Sequence, residues 1–161
     1  MDLKDTDSSE STISTILEYK EQGYLFHGSP QGDISVLEPR ESRDANSDNT
    51  FNNDCAVFAS KLPDACIFAL LSKEHIPGNL QNGQRISIKG YKDEHLRAEI
   101  PAAWKPYMEN NTGTLYILPP KTFTLSTPGW QVKSKEAVTP IDEIEVGFDT
   151  FQELGGELVW I

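Results

Sequence analysis

The chain has 161 residues, with 14 Lys and Arg against 25 Asp and Glu, and a formal net charge of -11. That length supports one domain with a real core, and the charge argues against nonspecific binding to nucleic acid or to an anionic membrane. Two cysteines, Cys55 and Cys66, cannot build a disulfide framework. No secretory h-region and no long apolar span stands out, so a soluble cytoplasmic protein is expected. The three histidines are far apart and the cysteines lack zinc-like spacing, so no metal site is expected. There is no internal repeat, no P-loop and no dinucleotide-fold glycine fingerprint.

Residues 1–10 are rich in Asp and Ser and are expected to form a disordered tail, leaving 11–161 as a single domain. Ser11 or Thr12 can cap a helix on which Ile13, Ile16 and Leu17 fall at i, i+3, i+4, and Gly23 is placed to stop it. A first strand is expected over 24–27. At its end His27, Gly28 and Ser29 set an imidazole and a hydroxyl on either side of a glycine that can reach φ > 0 or let a ligand approach the main chain. Arg40 and Arg43 follow, either as solvated surface residues or as contacts for a pyrophosphate. Residues 41–55, Phe51 among them, are dominated by Asn, Asp and Ser and read as a long loop between the two strands.

A second strand is expected over 56–60, then a helix over about 62–73 with Ala65, Phe68, Ala69 and Leu71 on one face. His75 follows that helix as a capping or exposed residue. Pro77-Gly78, Asn82-Gly83 and Pro128-Gly129 mark turns. Gln84 to Lys89 alternates polar with apolar and reads as a strand. Residues 92–99 read as a short helix or loop with His95 exposed, and Pro101 and Pro106 as breaks in regular structure. Further strands are expected at 114–118, 130–134, 137–140, 144–146 and 157–161, with Phe123 and Leu125 in an extended piece and a helical turn at 148–154. Many strands and few helices imply α+β.

The order LFHGSP, then VFAS, then DACIFAL resembles the ADP-ribosyltransferase superfamily, as a small bacterial or phage-type member. That superfamily includes the poly(ADP-ribose) polymerases, the diphtheria-toxin-like enzymes, the rifampicin ADP-ribosyltransferases and the tRNA 2′-phosphotransferases. Its members carry a first-strand His-Gly-Ser/Thr, a second strand often reading Tyr-Phe-Ala/Thr, a helix with a second aromatic, and a later strand whose motif residue is commonly Glu. The resemblance covers residues 24–71 well and 112–140 loosely. It implies split antiparallel sheets with a few flanking helices, NAD as substrate, a mobile loop over the NAD site with Phe51 as a lid contact, and a macromolecular acceptor, most simply a protein.

By that resemblance His27 bonds a ribose hydroxyl, the Gly28 backbone holds the nicotinamide amide, and Ser29 contacts the adenosine side. Val57 falls where many relatives carry a stacking tyrosine, with Phe58 beside it as a substitute. Phe68 falls at the second stacking position, and Ser60 ends the second motif near the same rim. Three departures stand out. Val57 cannot stack, Asp64 replaces a hydroxyl, and Gln131 stands where small relatives often show Glu, so catalysis would weaken or change. Glu143 and Glu145 form a Glu-x-Glu pair similar to that of arginine-directed transferases, but close to the C-terminal strand.

Breaking the bond between nicotinamide and ribose develops positive charge on the sugar and needs no strong general acid, so few special residues are required. The first reading is a mono-ADP-ribosyltransferase. The second keeps the fold and loses the chemistry, leaving an NAD or ADP-ribose binder or an interaction module. A third lies outside the superfamily, as an acidic protein that imitates nucleic acid or binds a basic partner. A 2′-phosphotransferase would want basic residues to hold RNA, and this chain is ill supplied with them.

Overall fold

The computed structural model describes residues 3–41, 55–71, 76, 77, 79, 86–91, 95–109, 111–124 and 130–161, with backbone alone for 3–10, 40, 41 and 91. Phe51 and nearly all of the 41–55 loop lie outside the described residues. So do Arg43, His75, Leu125 and the Asn82-Gly83 and Pro128-Gly129 turns. The fold is α+β, with two antiparallel-rich sheets and few helices.

Helix α1 spans Leu3–Glu21, so its first turns take in the backbone of the expected tail. It ends where Gly23 adopts φ 87. The Tyr24 N–H then reaches the Tyr19 carbonyl and the Gly23 N–H the Lys20 carbonyl, the paired bonds of a left-handed helix stop. Ile16 is fully buried and Ile13 packs beside it, whereas Leu17 remains 41% exposed.

The larger sheet is built on β1 (Leu25–Ser29) and β6 (Gly113–Leu118), which pair antiparallel from Leu25↔Leu118 to Ser29↔Thr114. β8 (Asp142–Val146) flanks β6. On the other side lie β3 (Cys55–Ser60), β2 (Arg40–Glu41) and β7 (Gln131–Ser134), the last two both pairing with β3. Both faces of this sheet are covered. Phe26, Leu115 and Ile117 enter one core, while Leu25, Tyr116 and Leu118 enter another with Val57, Ala59 and Val132. Burial on both faces explains why Leu25 and Phe26 are adjacent apolar residues rather than an alternating pair. Burying Phe26 completely contributes roughly 1.5–3 kcal/mol.

The expected amphipathic helix at 62–73 is instead a 3-10 helix, η1, over Pro63–Leu70. It is buried all round, Phe68 alone standing partly open, so no polar face exists to give an amphipathic stripe. It lies directly on the sheet because Gly28 and Gly113 lack side chains beneath it. A Cβ on Gly28 would meet the Ala65 carbonyl at 2.5 Å and the Ala69 nitrogen at 2.9 Å, and one on Gly113 would run into Ala69. Close backbone approach, not φ > 0, is what requires glycine at 28.

The smaller sheet joins β4 (Ser87–Tyr91), β5 (His95–Ile100) and β9 (Glu157–Trp160). β5 corrects the expected helix or loop at 92–99. Leu96, Ala98 and Ile100 alternate into the core, and that period-two burial outweighs the helix-forming residues between them. β5 and β9 run parallel, so the sheets are not wholly antiparallel. Pro101 stands as expected between the end of β5 and a 3-10 turn, Ala102–Trp104, whereas Pro106 breaks nothing and lies in the first turn of α2 (Lys105–Met108), where a missing N–H costs nothing. α3 (Phe148–Glu153) follows β8. Around 137–140 and at Phe123 there are isolated bridges, Leu37↔Val138 and Phe123↔Ser134, rather than strands. Among the described residues no helix is long and apolar enough to cross a membrane.

Candidate functional site

The two motif strands meet at one register position, Phe26↔Ser60. Beyond it β1 continues against β6 and β3 against β7. The His27 side chain enters the seam between them, where Nδ1 stands 2.7 Å from the Phe58 carbonyl oxygen. A carbonyl oxygen only accepts, so Nδ1 carries a proton, and in the neutral form of the ring Nε2 is then the acceptor nitrogen. The ring also lies 6.3 Å from that of Tyr116, its partner across the β1–β6 ladder.

A cavity opens on each side of this seam, of about 210 Å³ and 220 Å³, and both are lined by His27 and Phe58. The first is walled by Phe26, Gly28, Ala65, Phe68, Trp130 and Gln131. Phe68 and Trp130 stack with centroids 6.2 Å apart and planes 26° off parallel. The second is walled by Ser29, Ile34, Leu37, Glu38, Ala56 and Val57. Either cavity alone falls short of the roughly 300–1,000 Å³ of a small-molecule site, and the two together reach it.

Local hydrogen bonds fix the frame. Ser60, 1% exposed, accepts the Leu62 N–H at 2.8 Å and so anchors the entry to η1. Its hydroxyl oxygen is engaged by the backbone although the residue lies in the lining of the first cavity. Ser29 accepts the Gln31 N–H at 3.2 Å. The Tyr116 hydroxyl donates to the Gln31 carbonyl at 2.7 Å and accepts the Ile34 N–H at 3.1 Å, pinning the segment that leaves β1. Burial pushes the Tyr116 hydroxyl above its ordinary pKa.

Asp64 faces away from the cavities. It is 1% exposed, and its Oδ2 accepts the Leu96 N–H at 2.8 Å and faces His95 Nδ1 at 3.2 Å, tying η1 to β5. His95 is therefore a half-buried structural partner and not the exposed residue expected. Burial raises the Asp64 carboxyl above the usual carboxylate range, against the Leu96 hydrogen bond and the His95 imidazole. The fully buried Cys66 thiol is pushed up by burial and by Asp64, which removes it as a nucleophile.

Of the residues singled out by sequence, His27, Gly28, Phe58, Ser60, Phe68 and Gln131 surround the first cavity, and Ser29 and Val57 join His27 and Phe58 at the second. Gln131 stands opposite Ser60 in the β3–β7 ladder. The Arg40 backbone pairs with Ala56, and its side chain lies outside what is described. Glu143 and Glu145 are on β8, beyond β6 from β1, and line neither cavity. Glu143 accepts the Asp33 N–H at 3.1 Å there. Sequence reasoning did not pick out Phe26, Trp130 or Glu38 as lining residues. Trp130 carried a usable signal, an aromatic directly before Gln131 at the start of β7. Among the described residues no group of His, Cys, Asp and Glu could hold a metal ion.

The first cavity can stack a planar ring, and offers one imidazole acceptor and one carboxamide, with no carboxylate among its described lining residues. Comparison with family models, with characterised proteins and with solved structures found no match to this chain.

Proposed function

We propose that this chain is an ADP-ribosyltransferase-like protein that binds NAD across the β1–β3 seam and passes ADP-ribose to a macromolecular acceptor. The observation that carries the reading is the pair of adjoining cavities sharing His27 and Phe58. A dinucleotide has two cyclic ends joined by a bent linker, and two small cavities meeting at a polar residue suit that shape. The nicotinamide ring takes the cavity walled by Phe68 and Trp130, where aromatic faces reward stacking. His27 Nε2 accepts a ribose hydroxyl, and the adenosine end lies beside Ser29. In transfer, the bond from ribose to the nicotinamide nitrogen breaks, and its electron pair leaves with a neutral nicotinamide. The acceptor's nucleophile bonds to the same ribose carbon and loses its proton to water.

A specific observation favours a second reading, an NAD or ADP-ribose binder of the same class without transfer. Gln131, not a carboxylate, occupies the first cavity, and Glu143 and Glu145 stand away from it. A carboxamide can hold a hydroxyl in place but cannot stabilise the sugar's developing positive charge as an anion does.

One paired experiment tests both. Calorimetric titration with NAD reports binding, and incubation with labelled NAD and cell lysate reports transfer. Saturable binding with acceptor labelling that His27→Ala abolishes supports the enzyme. Binding without labelling or nicotinamide release supports the binder. Absence of NAD binding removes the enzyme, and absence of binding in a parallel ADP-ribose titration removes the binder as well.

A further inference from the structure

We infer that Glu38 makes the second cavity selective for an unphosphorylated ribose, so that this chain takes NAD and rejects NADP. This inference rests on the NAD reading above and adds a specificity residue that the motif comparison does not supply. Glu38 lines the second cavity with His27 and Ser29. Among the described residues lining either cavity it is the only carboxylate, and none of them is Lys or Arg.

Its backbone is held on both sides. The preceding Leu37 is 7% exposed and exchanges two hydrogen bonds with Val138, at 2.8 and 2.9 Å. The following Pro39 has its φ fixed by the ring. The carboxylate is thus presented from a fixed point at the cavity wall, while the side chain itself is exposed enough to tolerate substitution.

A carboxylate accepts hydrogen bonds and donates none. The adjacent hydroxyls of a ribose supply two donors and match it. A phosphate monoester on that ribose replaces one donor with acceptor oxygens and brings a charge of about −1.5 to −2 near neutral pH. It would be mismatched in hydrogen bonding and repelled by charge at once. NAD and NADP differ only in that phosphate, so Glu38 reads the one difference between them. The same argument keeps the pyrophosphate of either dinucleotide away from Glu38.

The experiment is calorimetric titration of the full chain with NAD and with NADP, for wild type, Glu38→Gln and Glu38→Arg, with circular-dichroism melts confirming that each variant folds. Wild type is expected to prefer NAD by on the order of tenfold or more. Glu38→Gln should bring the two affinities close together, and Glu38→Arg should reverse the preference. Equal affinities in wild type, or an unchanged preference in Glu38→Gln, would overturn the inference and leave the NAD reading standing. Failure of wild type to bind either dinucleotide would overturn both.

Discussion

His27 donates its Nδ1 proton to the Phe58 carbonyl oxygen, 2.7 Å away, across the seam where β1 and β3 cease to pair. One side chain thereby joins the two motif strands, fixes its own tautomer and stands at the boundary of both cavities. His27→Ala should lower stability by about 1 kcal/mol through loss of that bond. It should also weaken NAD binding by roughly tenfold or more through loss of the Nε2 acceptor. Urea denaturation and calorimetry separate the two effects, and undiminished NAD affinity would contradict the role given to the ring.

Gly28→Ala tests the close packing of η1 on the sheet. The added methyl would face two backbone atoms, the Ala65 carbonyl and the Ala69 nitrogen, which cannot swing aside as a side chain does. A loss of roughly 1–3 kcal/mol is expected, since the helix must lift as a unit. Ala65 and Phe68 would move with it, so NAD binding should weaken too. A denaturant midpoint unchanged from wild type would show that the contact is slack.

The strands β1, β3 and β6 were legible because short apolar runs bounded by turn residues declare buried strands. His27, Phe58, Phe68 and Gln131 line one cavity. Two misreadings share a physical cause, that tertiary burial overrode local preference. Residues 95–100 are rich in helix formers, yet Leu96, Ala98 and Ile100 are drawn into a core that rewards alternation. Around 63–70 the run was apolar enough for a helix, but full enclosure hid the missing polar face. The Asp64–His95 contact spans separate elements, so no local pattern announces it. The value of Trp130 and Glu38 depends on which cavity they face, and that is set by strand order rather than by neighbours in the chain.

Asp64 predicts a pH dependence of stability. Its folded pKa lies above the unfolded value because burial disfavours the charged form. Its contribution to stability is therefore fully present below the unfolded value of about 4 and is lost as pH rises through the raised folded value. Asp64→Asn carries no charge at any pH. Measured by urea denaturation, the variant's stability relative to wild type should be more favourable at pH 7 than at pH 4. A difference that does not change with pH would show that the carboxylate is as well solvated in the fold as in the open chain.

Gln131→Glu places a carboxylate in the cavity that has none among its described lining residues. If the missing charge is what limits bond cleavage, nicotinamide release from NAD should rise by about tenfold or more, as expected for an added electrostatic stabiliser at a charged transition state. Chromatography of the released nicotinamide, with His27→Ala in the same background as control, provides the check. No gain in release, with NAD binding intact, would place the limit on turnover elsewhere than residue 131.

The most direct measurement is a crystal structure of the chain soaked with NAD. It is expected to show the nicotinamide ring between the Phe68–Trp130 pair and the Gly28 backbone, a ribose hydroxyl within hydrogen-bond distance of His27 Nε2, and the adenosine end beside Ser29 and Glu38. Density for NAD elsewhere on the molecule, or both cavities empty at saturating NAD, would contradict the account.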